Sequence, residues 1–219
     1  MNTDKFDYEV LDLGLVIYKN VIENPSGIID MVNSIDERLM QNAHGASFTD
    51  AKPWKDWSYG STTFCQQKFF PKPEDINEQD FYYKDQKAVS ESLYSALDLT
   101  ADHYMHTLYP FAGENIKNRE YNIHLLKYGV GGFLPAHQDL GISSRVLSSV
   151  MYLNDDYDGG EIEFVNSNIK IKPPAGSVIF FPSNYLYVHE VHPILSGFRY
   201  SLPHWFHNMK TMIYSTGEA

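Results

Sequence analysis

Residues 119–206, REYNIHLLKYGVGGFLPAHQDLGISSRVLSSVMYLNDDYDGGEIEFVNSNIKIKPPAGSVIFFPSNYLYVHEVHPILSGFRYSLPHWF, decide the fold. Short runs rich in β-branched and aromatic residues succeed one another with no helical period between them. They cover Arg119 to Tyr128, Phe133 to Asp139, Arg145 to Asn154, Glu161 to Asn166, Ile169 to Lys172, Ser177 to Phe181, Tyr187 to Ile194 and Phe198 to Phe206. Asp158-Gly159-Gly160 and Pro173-Pro174-Ala175-Gly176 are turn signals between them. Eight such strands in succession predict a double-sheet antiparallel jelly roll.

Two pieces of this stretch carry candidate chemistry. In His137-Gln138-Asp139 an imidazole and a carboxylate two residues apart on an extended backbone point to the same side. His189, fifty residues beyond Asp139, can complete a three-ligand face. Two His and one carboxylate with the opposite face open suit non-haem Fe(II). In the strand around His189, alternation puts His189 and Val191 on one face and Glu190 and His192 on the other, so His192 is not a second inward imidazole. Arg199 and Ser201 share a face of the last strand, and a cation beside a hydroxyl is a ready carboxylate site. On the strand ending at Tyr128, the residues Asn122, His124 and Leu126 share its face.

Upstream, Tyr8 to Tyr18 reads as a strand, and Asn24-Pro25 as the cap and first turn of a helix carrying Ile28, Ile29, Val32, Ile35 and Leu39 on one face. His44 to Ser61 has no periodicity and reads as an aromatic loop with Trp54, Trp57 and Tyr59, a candidate lid or an ordinary anchored loop. Phe69 to Asp80 reads as a second irregular connection. Gln86 to Leu108 reads as a long helix or two abutting ones, with Val89, Leu93, Leu97, Tyr104 and Leu108 as its apolar stripe. His103 and His106 on it have no third ligand at helical spacing and read as a solvated or half-buried pair. His204 and His207 read as surface residues after the last strand, and Asp155, Asp156 and Asp158 as turn residues. The expected fold class is therefore mainly β with α additions: a double-stranded β-helix (jelly roll) core with N-terminal helices packed on it. The expected organisation is a single domain over 1–219, with a helical and strand part over 1–118 and the core over 119–207.

The balance of 17 Lys+Arg against 28 Asp+Glu gives a formal charge of −11, which repels a phosphate backbone and an anionic membrane surface. Nucleic acid and membrane are excluded as expected partners. The single cysteine, Cys65, cannot form an internal disulfide, and the first ten residues lack an apolar core of signal-peptide length. A soluble, cytoplasmic location is the expectation.

The order of motifs is more specific than any one of them. Tyr128-Gly129-Val130-Gly131-Gly132 precedes His137-Gln138-Asp139; Tyr152-Leu153-Asn154-Asp155-Asp156, Gly159-Gly160-Glu161 and Gly176 ahead of Phe181-Pro182-Ser183 follow. His189-Glu190-Val191-His192-Pro193-Ile194 and Gly197-Phe198-Arg199-Tyr200-Ser201-Leu202 close the series. From about Tyr121 to Phe206 the chain resembles the catalytic core of the Fe(II)- and 2-oxoglutarate-dependent oxygenases, and within them the prolyl 4-hydroxylase-like group. The resemblance implies His137, Asp139 and His189 as iron ligands and Arg199 as the residue for the distal carboxylate of 2-oxoglutarate. It implies that Tyr152 and Ser201 add hydroxyls there and that Tyr128 lines the co-substrate pocket. Fe(II), 2-oxoglutarate and O2 follow as cofactor and co-substrates, with ascorbate as an optional addition. The implied reaction is oxidative decarboxylation to succinate and CO2 coupled to hydroxylation of a C–H bond. A prolyl residue of a peptide or protein is the implied substrate, a free amino acid or other small molecule the runner-up. A jelly-roll module that binds a metal or small acid without turnover is the competing class.

Overall fold

A computed structural model describes residues 6–34, 55–59, 62–70, 72–76, 83–116, 118–120, 122–141 and 144–208. Strands β1 (Asp7–Asp12) and β2 (Leu15–Lys19) form a hairpin, followed by α1 (Pro25–Ser34), β3 (Lys55–Tyr59), β4 (Thr62–Phe70) and α2 (Tyr83–His103). The last runs on as a π-helical turn, Tyr104–Leu108, before α3 (Pro110–Asn115). Then come β5 (Asn118–Arg119), β6 (Ile123–Tyr128), β7 (Leu134–His137), β8 (Arg145–Tyr152), β9 (Asp158–Gly159), β10 (Ile162–Phe164) and β11 (Ile169–Ile171). The chain closes with β12 (Val178–Pro182), β13 (His189–Val191), β14 (Ile194–Ser196) and β15 (Arg199–His207).

Two antiparallel sheets face each other. The larger runs β1-β2-β12-β8-β15-β6-β4-β3, with β5 paired to β15, and the smaller runs β11-β10-β13-β7. Alternation sorts the larger sheet's side chains into two cores. Leu147, Met151, Phe180, Leu202 and Phe206 face the helices and pack with Val32, Leu93, Leu97 and Tyr104. Val150, Tyr152, Ile179 and Phe181 face the smaller sheet and pack with Ile162 and Phe164. The α2 stripe is thus core, and truncating a fully buried member such as Leu97 would cost about 2–5 kcal/mol. The mainly β jelly roll with helices on its outer face is as the sequence predicts.

Several local readings are corrected. Tyr8 to Tyr18 is a hairpin, because Gly14 takes φ +77° and the Asp12 carboxylate accepts from the Leu13 N–H at 2.7 Å, turning the chain inside the β-rich run. Lys55–Tyr59 is a strand rather than loop, paired with β4. The run that forms β4 is rich in Thr and Gln and shows no apolar alternation, yet it pairs along β6 through Phe70. Trp54 and the rest of the expected aromatic loop lie outside the described residues, as do Ile35 and Leu39. At the start of α1, Asn24 acts as expected, its Oδ1 accepting from the Gly27 N–H at 3.2 Å. No helix among the described residues is long and apolar enough to cross a membrane.

Candidate active site

The open end between the two sheets holds a cavity of about 390 Å³. Cross-strand register assembles its centre: His189 on β13 lies opposite both His137 on β7 and Phe164 on β10. The His137 and His189 rings are 4.3 Å apart, and Phe164 and Phe181 pack against His189 at 5.8 and 4.8 Å. Asp139 follows β7 and turns back to the same point, its Oδ1 3.6 Å from His137 Nε2 and its Oδ2 4.0 Å from His189 Nε2. One ligand atom from each of His137, Asp139 and His189 can be chosen so that all lie within 4.8 Å of one another.

Each donor is held from behind. His137 Nδ1 donates to the Pro135 carbonyl at 2.9 Å and His189 Nδ1 to the Tyr187 carbonyl at 3.0 Å, which fixes the tautomer and leaves both Nε2 lone pairs for a metal. Ser148 donates to Asp139 Oδ2 at 2.6 Å. Burial alone would raise the Asp139 carboxyl, but His137, His189 and the Ser148 hydroxyl hold it below the usual carboxylate range. Burial pushes His189 down to about 4, so its imidazole is neutral near pH 7. Burial also acts to lower His137, and Asp139 outweighs it, leaving that imidazole raised. Two imidazoles and one carboxylate fit a non-haem iron, and the tied second atoms fit it better than an accidental cluster would.

A second grouping, Glu163, Glu190 and His192, lies on the outer face of the smaller sheet. Its members satisfy one another: His192 Nε2 bonds Glu163 Oε2 at 2.7 Å, and Lys170 Nζ stands 3.5 Å from His192 Nδ1. The outward register of His192 is as expected.

Deeper in the cavity, Arg199 is only 2% exposed. Its Nη1 donates to the Ser201 hydroxyl at 2.8 Å and its Nη2 to the Tyr152 hydroxyl at 3.2 Å, while its Nε has no partner among the described residues. The rings of Tyr128 and Tyr152 flank its guanidinium at 4.9 and 5.0 Å. No carboxylate among the described residues pairs with it. A buried cation of this kind is costly unless an anion joins it. Tyr128, Ser201 and Arg199 line the cavity, whereas Tyr152 stands behind Arg199 and holds it. All seven site residues expected from the sequence therefore come together.

The outer arm was partly missed. It is lined by His124, Arg145, Pro203 and Trp205. Arg145 lies 3.7 Å over the Trp205 ring and is fixed by Glu120 Oε1, 3.0 Å from Nη2 and 3.3 Å from Nε. A β-bulge puts it there: Phe206 pairs with Leu147 but His207 with Arg145, so one extra residue turns Arg145 to the cavity face. His124 meets Trp205 edge-on at 5.2 Å, and burial pushes it down to about 4. His124 and Leu126 share the cavity with Tyr128 as alternation requires, but Asn122, ahead of β6, does not line it. His204 and His207 are not surface residues beyond the last strand: both belong to β15, and His204 is 0% exposed beneath the helices. His103 is likewise buried, its Nδ1 2.9 Å from the Tyr18 hydroxyl. Ser148 was readable in principle, since alternation from Tyr152 through Val150 leads to it.

Residues 123–207 match the profile of the 2OG-Fe(II) oxygenase superfamily. Over 67 residues the chain is 37% identical to prolyl 3-hydroxylase 2 of Mus musculus, covering 28% of this chain and 10% of that protein. Over 63 residues it is 43% identical to a PKHD-type hydroxylase of Prochlorococcus marinus (strain MIT 9215), covering 27% of this chain and 28% of that one. The chain thus spans under a third of the length of either relative. Among solved structures, a prolyl hydroxylase from Trichoplax adhaerens, in complex with a hypoxia inducible factor peptide fragment, shares the fold with a TM-score of 0.63. The identity is 17%, over 89% of this chain and 84% of that one. Over residues 123–207, the chain is thus similar to the 2OG-Fe(II) oxygenase superfamily.

Proposed function

We propose that the chain is an Fe(II)- and 2-oxoglutarate-dependent dioxygenase that hydroxylates a prolyl residue in a peptide or protein. The observation that carries the reading is one cavity holding both a three-donor metal face and a buried Arg199 without an anionic partner among the described residues. In it His137, Asp139 and His189 hold the metal, and Arg199 takes the distal carboxylate of 2-oxoglutarate. Bound Fe(II) supplies coordination of the 2-oxo acid and activation of O2, coupling decarboxylation to succinate and CO2 with C–H hydroxylation.

The chain's own residues orient and exclude. Ser201 and Tyr152 each accept from Arg199, which leaves their O–H protons free for further bonds. Phe164 and Ile162 on the smaller sheet, with Phe181 facing them from the larger, keep the walls apolar and shield the metal face from water. A prolyl ring would enter over Trp205 and Pro203, where Arg145, held by Glu120, offers remaining N–H groups to a peptide carbonyl. The Trichoplax adhaerens hydroxylase, bound to a peptide fragment in its structure, supports a macromolecular substrate by analogy of fold. At about 390 Å³, little room remains once a co-substrate is seated, which favours a single side chain reaching in from outside. A single domain is part of the reading, supported by the pairing of β2 with β12 and β4 with β6.

Purified protein with Fe(II), ascorbate and 2-oxoglutarate should form succinate faster with prolyl peptides than without. The peptide should gain one oxygen atom by mass spectrometry. Turnover with free amino acids but no prolyl peptide would move the substrate to a small molecule. Metal and 2-oxoglutarate binding without any succinate would favour a non-catalytic module.

A further inference from the structure

Tyr157 lies between β8 and β9, and nothing above gives it a role. Its ring is 2% exposed, and its hydroxyl is buried without a hydrogen-bond partner among the described residues. It packs with Leu126, Tyr128 and Ile194 and stands beside Arg199, close enough for the cation to bear on its ionisation. Burial pushes the phenol up to about 12, so it remains protonated near pH 7. The ring does not line the cavity; it packs against Tyr128, whose own ring flanks the guanidinium.

Its seat is built. A Cβ on Gly160 would lie 2.9 Å from Tyr157 Cε2 and 2.3 Å from Ile194 Cδ1, and a Cβ on Gly197 would lie 3.3 Å from Tyr157 Cα and Cβ. Both glycines also adopt positive φ, +66° and +76°, so side chains are disfavoured there twice over. On the outer side the Lys172 ammonium lies 4.9 Å from the ring centroid and donates to the Tyr157 carbonyl. Phenylalanine would fill this seat as well, without burying a bare hydroxyl. The oxygen therefore calls for a use beyond packing.

Arg199 supplies one. Its Nη1 and Nη2 are engaged by Ser201 and Tyr152 and keep N–H groups for a carboxylate, while its Nε–H and the hydroxyl of neighbouring Tyr157 are both buried without a hydrogen-bond partner among the described residues. We propose that Tyr157 is a positioning residue that backs Arg199, fixes how deep the guanidinium stands, and so sets the length of the 2-oxo diacid that the cavity accepts. The inference rests on the co-substrate reading above. A cation with a rigid backstop cannot retreat for a longer acid, and a rigid pocket discriminates one methylene by about 10–200-fold.

The test is calorimetric binding of 2-oxoglutarate and of the six-carbon 2-oxoadipate to Mn(II)-loaded protein without turnover. The parent should prefer the five-carbon acid by about tenfold or more. Tyr157→Phe should weaken 2-oxoglutarate binding by about three- to tenfold, with Mn(II) affinity unchanged. Tyr157→Ala, which opens space behind Arg199, should bring the two acids toward equal affinity. Parent-like affinity and preference in both variants would overturn the proposal. Should Tyr157→Ala fail to fold, Tyr157→Phe decides alone, because it keeps the ring and removes only the oxygen. A parent that binds Mn(II) but neither acid would overturn the co-substrate reading and this inference with it, whereas a parent that prefers 2-oxoglutarate beside indifferent variants overturns this inference only.

Discussion

The Ser148 hydroxyl stands 2.6 Å from Asp139 Oδ2 and 2.8 Å from the Ser183 hydroxyl. The carboxylate can only accept, so Ser148 donates to it and Ser183 donates to Ser148. This relay fixes which way Asp139 turns. Ser148→Ala should weaken Fe(II) or Mn(II) binding by about 10–100-fold, the usual effect of losing a group that orients a ligand. Metal titration of the variant checks it, and parent-like affinity would show that Asp139 is oriented without Ser148.

His189 and His192 offer a paired test of strand register. His189 faces the cavity at 5% exposure, while His192 bonds Glu163 on the far face. His189→Ala should abolish metal binding. His192→Ala should preserve it and cost no more than about 1 kcal/mol of stability, since its ion pairs are surface ones. Metal titration with urea denaturation reads both, and the reverse pattern would invert the assignment.

Arg199→Ala should leave metal binding nearly intact and cost about 2–5 kcal/mol in 2-oxoglutarate binding, much of it from stranding a buried carboxylate. Arg199→Lys should recover part of that loss, as a point charge replaces a fork. Equal co-substrate affinity in Arg199→Ala and parent would remove Arg199 from the site.

Glu120 links acid stability to the outer arm. Burial by itself would raise its carboxyl, but the hydrogen bond with His207 and the Arg145 cation bring it down to about 2. A carboxyl depressed in the folded state stabilises above its ordinary value of 4.5, and that contribution is lost as pH falls from there towards about 2. The stability difference between parent and Glu120→Gln should therefore be level above pH about 5 and shrink toward zero near pH about 2. Urea midpoints across this range check it. A constant difference would mean that the effect of the substitution is steric.

Trp205 carries the claim about substrate. Trp205→Ala should impair peptide hydroxylation at least about tenfold, as loss of a buried aromatic anchor does, while uncoupled 2-oxoglutarate decay continues. Succinate release with and without peptide separates the two. Undiminished peptide turnover would place the substrate elsewhere.

The metal triad, Arg199 and its neighbours were legible because they lie on regular strands, where alternation fixes the face of each side chain. Legibility failed where the backbone departs from that period. Arg145 reaches the cavity through a bulge that shifts its face, and no pattern in Ser144-Arg145-Val146 announces it. The Gly14 turn was hidden inside an apolar run, and β4 was hidden because a partner strand, not its own alternation, makes it extended. His204 looked like a surface residue although it lies within the expected last strand, because polarity alone is a poor guide to burial.

The order of strands in the larger sheet also bears on how the protein is made. Tyr18 on β2 pairs with Val178 on β12, roughly 160 residues later, and β15, the last strand in sequence, sits between β8 and β6. A ribosome that has released everything up to Phe198 has delivered the larger sheet in two pieces, β1-β2-β12-β8 and β6-β4-β3, with open edges at β8 and β6. Closure must wait until residues 199–207 clear the exit tunnel. A chain truncated even shortly before Arg199 should yield aggregated product or product bound by chaperones, whereas one ending just after Asn208 has every strand of the sheet among the described residues.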